Sequence, residues 1–149
     1  MTRKLKRHPR TTPSIELYRC LNQIVSKLDI PANAKRIAIN FRRSEYYQTK
    51  KGFRPVEIQL ERQSNDWTIV FVASFAYPDE HATQVDVELY FNFLRGWFFQ
   101  PDIHNQCDLH QPKVTQLWNS WEVALLKQIN NKAFNELSAT LVSINNQPA

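Results

Sequence analysis

Glycine is scarce in this chain of 149 residues: there are two, Gly52 and Gly96, 44 positions apart. A dinucleotide-binding G-x-G-x-x-G needs three glycines, a G-x-S-x-G elbow needs two close together, and a P-loop needs Gly-x4-Gly-Lys. None of these motifs is present, and no cofactor is expected. Cysteine is equally scarce. Cys20 and Cys107 are too few for a disulfide framework, and Cys20 falls on an apolar helical face, as a small core residue would. Long apolar runs are missing too. The longest runs from Ile69 to Ala73, far short of the ~18 residues of a membrane span, so no membrane contact is expected. No apolar h-region follows the basic N-terminus, which excludes a secretory signal and makes a cytoplasmic location the expectation. The Arg-rich start, free of acid up to Glu16, shares its pattern with mitochondrial transit peptides.

What is present suffices for one folded domain. Apolar residues make up 42% and aromatics 12%, against 22% charged, enough to form a core rather than a disordered chain. The length corresponds to a single domain, expected over 13–144, between a flexible basic tail at 1–12 and a loose tail at 145–149. The net charge is +5. Arg3, Lys4, Lys6, Arg7 and Arg10 supply all of it, because from residue 11 onward 14 basic side chains meet 14 acidic ones. The neutral body is polarised. Lys35 to Arg54 carries seven basic residues and one acid, and Asp66 to Asp108 carries seven acids and one base. In a sheet these stretches can lie side by side and neutralise each other, or form two faces of opposite sign that favour self-association.

Periodicity places the elements. Thr12-Pro13 reads as an N-cap and first helical residue. Tyr18, Leu21, Val25 and Leu28 follow at helical spacing, with Ile15, Leu17 and Ile24 widening the stripe, up to Pro31. Ile37, Ile39 and Phe41 alternate as a strand, and a polar, basic loop with Tyr46 and Tyr47 leads to Gly52. Val56, Ile58 and Leu60 alternate with Glu57, Gln59 and Glu61. Pro55 places that strand's start at an edge or a bulge. Trp67 to Phe75 is apolar at nearly every position, which reads as a central strand covered on both faces. Val85 to Phe93 alternates, and Leu94-Arg95-Gly96 turns into Trp97-Phe98-Phe99. Pro112 opens a second helix with Val114, Leu117, Trp118, Trp121, Leu125 and Ile129 on one face. The segment from Leu137 to Ile144 alternates poorly and reads as a last strand. The order argues for the α+β class: a single twisted antiparallel β-sheet of about five to seven strands, with an N-terminal and a C-terminal helix packed on it.

Few residues are arranged for chemistry. His104, Cys107 and His110 have zinc-ligand types, but one short loop would supply all three, and no second Cys/His pair completes four. An incidental surface loop explains the same residues, and no metal is expected. Asp86 and Glu88 share a strand face and pair in principle as acid and base; the wet face of an amphipathic strand accounts for them equally. Phe91 and Phe93 share the face of Val85 and Leu89 and point inward. Tyr46, Tyr47, Tyr90 and Trp97 are the candidate exposed aromatics, marking a partner surface. Arg42, Arg43, Lys50, Lys51 and Arg54, with the five basic residues of the tail, are the candidate phosphate or partner contacts.

Several segments together resemble a known family. Ile39-Asn40-Phe41-Arg42, Gly52-Phe53-Arg54-Pro55-Val56-Glu57-Ile58, Trp67, Ser74-Phe75-Ala76-Tyr77 and Tyr90-Phe91-Asn92-Phe93 look like the successive motifs of domain of unknown function 2787. That uncharacterised gammaproteobacterial family often lies on genomic islands and other mobile elements. The resemblance covers roughly residues 35–144. Two departures stand out. The family often has Asp before its Phe-x-Tyr, where this chain has Ser74, and an Asp-Phe-Asp-Phe type run, where this chain has Tyr90-Phe91-Asn92-Phe93. If those carboxylates serve a shared chemistry, this chain has lost it. The resemblance implies a fold similar to the mitochondrial acidic matrix protein (the complement globular-head receptor). That fold is a strongly twisted antiparallel sheet with helices from both chain ends packed on it. Its eukaryotic members form ring-like trimers and bind many proteins without catalysis. They are strongly acidic and this body is neutral, so their partner list does not transfer.

The leading expectation is a non-enzymatic module that binds an unidentified protein partner through a sheet face or as a homo-oligomer, with a trimer implied by the resemblance alone. The alternative is a nucleic-acid accessory protein using the basic tail and the Lys35–Arg54 stretch. An enzyme of unrecognised type comes third, with no residue to nominate.

Overall fold

A computed structural model describes residues 10–101 and 107–145. Helix α1 (Ile15–Ser26) precedes β1 (Ala34–Arg42), a short α2 (Ser44–Thr49), β2 (Val56–Gln63), β3 (Asp66–Ala76), β4 (Asp86–Asn92), β5 (Trp97–Phe99) and β6 (Cys107–Asp108). Helix α3 (Pro112–Asn130) and β7 (Glu136–Ile144) complete the chain. The strands form one sheet in the order β6-β5-β4-β3-β2-β1-β7, and every neighbouring pair is antiparallel. Each strand up to β6 pairs with the next in sequence; β7 alone returns to the far edge, beside β1. Helix α3 makes that return possible. Its 19 residues span about 28 Å, and six strand spacings come to about 29 Å, so one helix carries the chain from one sheet edge to the other.

Alternation along the strands selects the helix-covered face. Ile37, Ile39 and Phe41 of β1, Val56, Ile58 and Leu60 of β2, Ile69 and Val72 of β3, Phe91 of β4 and Phe98 of β5 meet Leu17 and Leu21 of α1 and Val114, Trp118 and Leu125 of α3. Trp118 is fully buried among aromatic rings, with Phe91 and Phe93 centred 5.0 and 4.8 Å away. The same helix clamps the segment before α1. Trp118 Nε1–H donates to the Thr12 carbonyl, the Ser14 N–H donates to Glu122 Oε2, and the hydroxyls of Thr11 and Thr115 lie 2.7 Å apart. Residues 115, 118 and 122 recur at helical spacing, so one stripe of α3 makes all three contacts.

These contacts correct two expectations. Thr11 is buried, so the folded body begins before the boundary drawn after residue 12. The N-cap of α1 is Ser14, whose hydroxyl accepts the Leu17 N–H; Thr12 has given its carbonyl to Trp118 instead. Ile15, assigned to the apolar stripe, is 66% exposed. Two further readings change. The stretch with Tyr46 and Tyr47 is a helix rather than a loop, ended by Lys50 at φ 60; six residues are too few to display a helical period. Strand β2 lies in the sheet interior, between β1 and β3. Pro55 is tolerated because it stands one residue before the first ladder pair, Phe41 with Val56, where no N–H is required. The second helix begins at Pro112 and the last strand covers Leu137 to Ile144, both as expected.

Candidate interaction face

The residues alternating with the core positions turn to the other side of the sheet, away from the buried stripes of α1 and α3. Two rows of strand partners line it. One runs Ser138, Asn40, Glu57, Ala73, Tyr90, Phe99; the other runs Thr140, Ala38, Gln59, Phe71, Asn92, Trp97. At its centre three rings from three strands stack in series. Phe71 of β3 lies 4.9 Å from Tyr90 of β4, and Tyr90 lies 4.8 Å from Trp97 of β5, with interplanar angles of 27° and 21°. Strand alternation and neighbour spacing create the stack, since each ring is the cross-strand or diagonal neighbour of the next. All three are half-buried.

Amides hold the surroundings of the stack. Asn92 Nδ2–H donates to the Tyr90 hydroxyl, and Asn92 Oδ1 accepts the Arg95 N–H. Asn40 Nδ2–H donates to Thr140 Oγ1 across to β7. Burial pushes the Tyr90 hydroxyl above its ordinary range, against the hydrogen bond from Asn92. Burial also raises the Glu57 carboxyl, opposed by the Arg42 guanidinium. The face is therefore aromatic and amide-rich, with a carboxylate reluctant to ionise.

Tyr90 and Trp97, expected as exposed aromatics, lie on this face but are half-buried by their mutual stacking, and Tyr47 is 37% exposed. Tyr46 is not an exposed aromatic: it is 3% exposed, its ring stacks on Tyr77, and its hydroxyl accepts the Tyr77 N–H. Phe71 was not expected here. The reading of β3 as covered on both faces is wrong on this side, because a fully apolar sequence cannot distinguish a helix cover from a ring stack. Asp86 and Glu88 do not form an acid–base pair: Asp86 Oδ1 accepts the Val87 N–H, and Glu88 pairs with Arg54. A β-bulge explains the difference, since two steps on β4 (Leu89 to Val87) face one on β3 (Ser74 to Phe75) and turn Glu88 out of the alternation.

The basic candidates are largely occupied. Lys35 and Arg36 pair with Glu61, Arg43 with Glu45, and Arg54 with Glu88. Lys50 Nζ donates to the carbonyls of Glu80 and Ala82. Among the described residues, that leaves Arg42 and Lys51 of the seven in Lys35–Arg54 outside such contacts. Arg10 is exposed; Arg3, Lys4, Lys6 and Arg7 lie outside the described residues. So does His104. Cys107 Sγ–H points to the Phe98 carbonyl, and His110 Nδ1 accepts the Thr11 N–H, so a hydrogen bond within the fold takes up that nitrogen. Among the described residues no group of three His, Cys, Asp or Glu is placed to hold a metal, and no helix is long and apolar enough to cross a membrane.

A second feature escaped the sequence reading. Strand β7 is exposed along almost its whole length, with Leu137, Leu141, Val142 and Ile144 at 43–47%. Beside it runs an apolar groove of about 420 Å³, lined by Ile24, Leu28, Phe41, Ile129, Phe134 and Leu137. Poor alternation was the available signal, since a strand with no covered face has nothing to alternate against.

Comparison with known proteins agrees with this architecture. The hypothetical protein VC0508 from the Vibrio cholerae VSP-II pathogenicity island is 25% identical, over 93% of this chain and 100% of that one, with a TM-score of 0.76. The conserved hypothetical protein VC1805 from pathogenicity island VPI-2 of Vibrio cholerae is 30% identical, over 89% of this chain and 98% of that one, with a TM-score of 0.73. VC1805 is described as sharing structural homology with the human P32 protein, the mitochondrial acidic matrix protein. No curated protein matches the chain. The family model for proteins of unknown function DUF2787 matches residues 15–140, nearly the whole described fold, and the chain belongs to that family.

Proposed function

We propose that this protein is a non-enzymatic protein-binding module that holds its partner on the sheet face opposite α1 and α3. The Phe71–Tyr90–Trp97 stack carries the reading. Aromatic side chains dominate the energetics of protein interfaces because they offer large area with few torsions to freeze. Here each ring already leans on its neighbour and two amides orient the surroundings, so little further order is lost on binding. Likeness to a protein that shares structural homology with human P32 supports the reading at the level of fold, which does not specify a partner. A cytoplasmic setting belongs to the same proposal; Cys20 and Cys107 form no disulfide.

A random-peptide library panned on the protein tests it. Enriched peptides should bind the wild type and lose at least tenfold in affinity on the Tyr90→Ala/Trp97→Ala variant, the scale of a lost interface hot spot. No enrichment, or equal binding to a variant that retains its fold by circular dichroism, would sink the proposal.

A further inference from the structure

We infer that two copies of this chain join edge to edge, through antiparallel pairing of β7 with β7 about a two-fold axis. Among the described residues, strand β7 is the terminal strand of the sheet and pairs with β1 on one side only. Its outer side therefore presents unpaired backbone donors and acceptors, and their natural complement is another extended strand. Native edges are usually guarded by Lys, Pro, a charge pointing inward or a short strand. This one is nine residues long, Glu-Leu-Ser-Ala-Thr-Leu-Val-Ser-Ile, and carries no charge after Glu136. The opposite edge, β6, has two residues and offers no comparable template. Pairing like with like closes the assembly at two copies, whereas head-to-tail pairing generates larger rings or open filaments.

A two-fold register follows from the alternation. With Thr140 on the axis, Ala139 faces Leu141 of the second copy, Ser138 faces Val142, Leu137 faces Ser143 and Glu136 faces Ile144. Directly opposed residues share a face, so Ala139 of each copy meets Leu141 of the other on the helix side, while the two Leu137 side chains, each beside its own groove, stand six residues apart along the ladder, about 20 Å. Thr140 meets its twin on the other side, a favourable cross-strand pair. The charges agree with this arrangement. The two Glu136 side chains stand eight residues apart along the ladder, about 26 Å. Each approaches the end of the other copy where Ile144 pairs with Ala34, next to Lys35 and Arg36, two cations that share the single carboxylate of Glu61. The footprint sets the strength. A strand about 30 Å long and a sheet about 10 Å thick with its side chains give roughly 300 Å² per copy, below a standard interface. The dimer is therefore concentration-dependent.

The inference does not rest on the proposed use of the other sheet face, and its test uses different residues. Sedimentation of the full chain over increasing concentration should show monomer converting to twice the chain mass. The Leu141→Lys/Val142→Lys variant should remain monomeric at the highest concentration, with unchanged circular dichroism. Register is tested in a Cys20→Ser/Cys107→Ser background: Thr140→Cys should crosslink to its twin on mild oxidation at least tenfold faster than Ser138→Cys, whose twin is displaced along the ladder. A monomer at every concentration, a trimer, an unaffected lysine variant, or crosslinking as fast at 138 as at 140 would each overturn it.

Discussion

Glu122 lies on the buried face of α3, 7% exposed, and accepts the Ser14 N–H. Burial raises its carboxyl above the ordinary 4.5; the bonds from Ser14 oppose the shift and Glu16 adds to it. The folded state therefore holds this proton more tightly than the unfolded chain. Its stabilising effect is complete below pH 4.5 and declines as pH rises through the folded value. Glu57 adds a shift in the same direction. Glu122→Gln keeps the acceptor and removes the charge. Its melting temperature should exceed that of the wild type at pH 7.5, and the gap should close by pH 4; a variant less stable at pH 7.5 would refute the account. Trp118→Ala should cost about 3–5 kcal/mol in denaturant unfolding, because it empties the centre of the aromatic cluster and strands the Thr12 carbonyl. The sequence placed Trp118 on the right helical face. It contained no sign of the Thr12 bond, which joins residues 106 positions apart.

Among the elements, α1 depends on a cap that periodicity misplaced by two residues. Ser14 closes the first turn with its hydroxyl and ties the helix to α3 with its N–H. Ser14→Ala removes the first contact and keeps the second, so unfolding should register a loss of about 1 kcal/mol. A loss near zero would mean that the α3 clamp alone orients α1. Strands β1, β2 and β4 were legible because one face of each meets a core and the other does not, and α3 because its apolar stripe runs through 19 residues. The short α2 was not legible, and neither was the exposure of β7. What distinguishes β7 is the absence of cover, and sequence pattern records cover only where it exists.

At the scale of the whole molecule, charge decides between readings. Five of the seven basic residues from Lys35 to Arg54 are engaged within the fold, which leaves a nucleic-acid role to rest mainly on Arg3, Lys4, Lys6, Arg7 and Arg10. Short DNA binding measured at two salt concentrations should therefore show at most about five phosphate contacts, each adding ~0.7–0.9 to the slope of log K against log[salt]. Deletion of residues 1–10 should abolish it. Undiminished binding by the truncated chain would return the Lys35–Arg54 stretch to consideration and weaken the protein-binding proposal.

By itself the sequence determined the fold class, the order of the elements and the inward face of most of them, because these follow from local alternation and helical period. It also excluded the glycine-dependent nucleotide and nucleophile motifs, because those require residues the chain does not have. Tertiary structure alone decided that Tyr46 is buried, that Phe71 completes a ring stack, that a bulge turns Glu88 towards Arg54, and that β7 stands open at an edge. Each of these depends on which distant segment lies alongside, and that is settled only when α3 carries the chain across the sheet and sets β7 against β1.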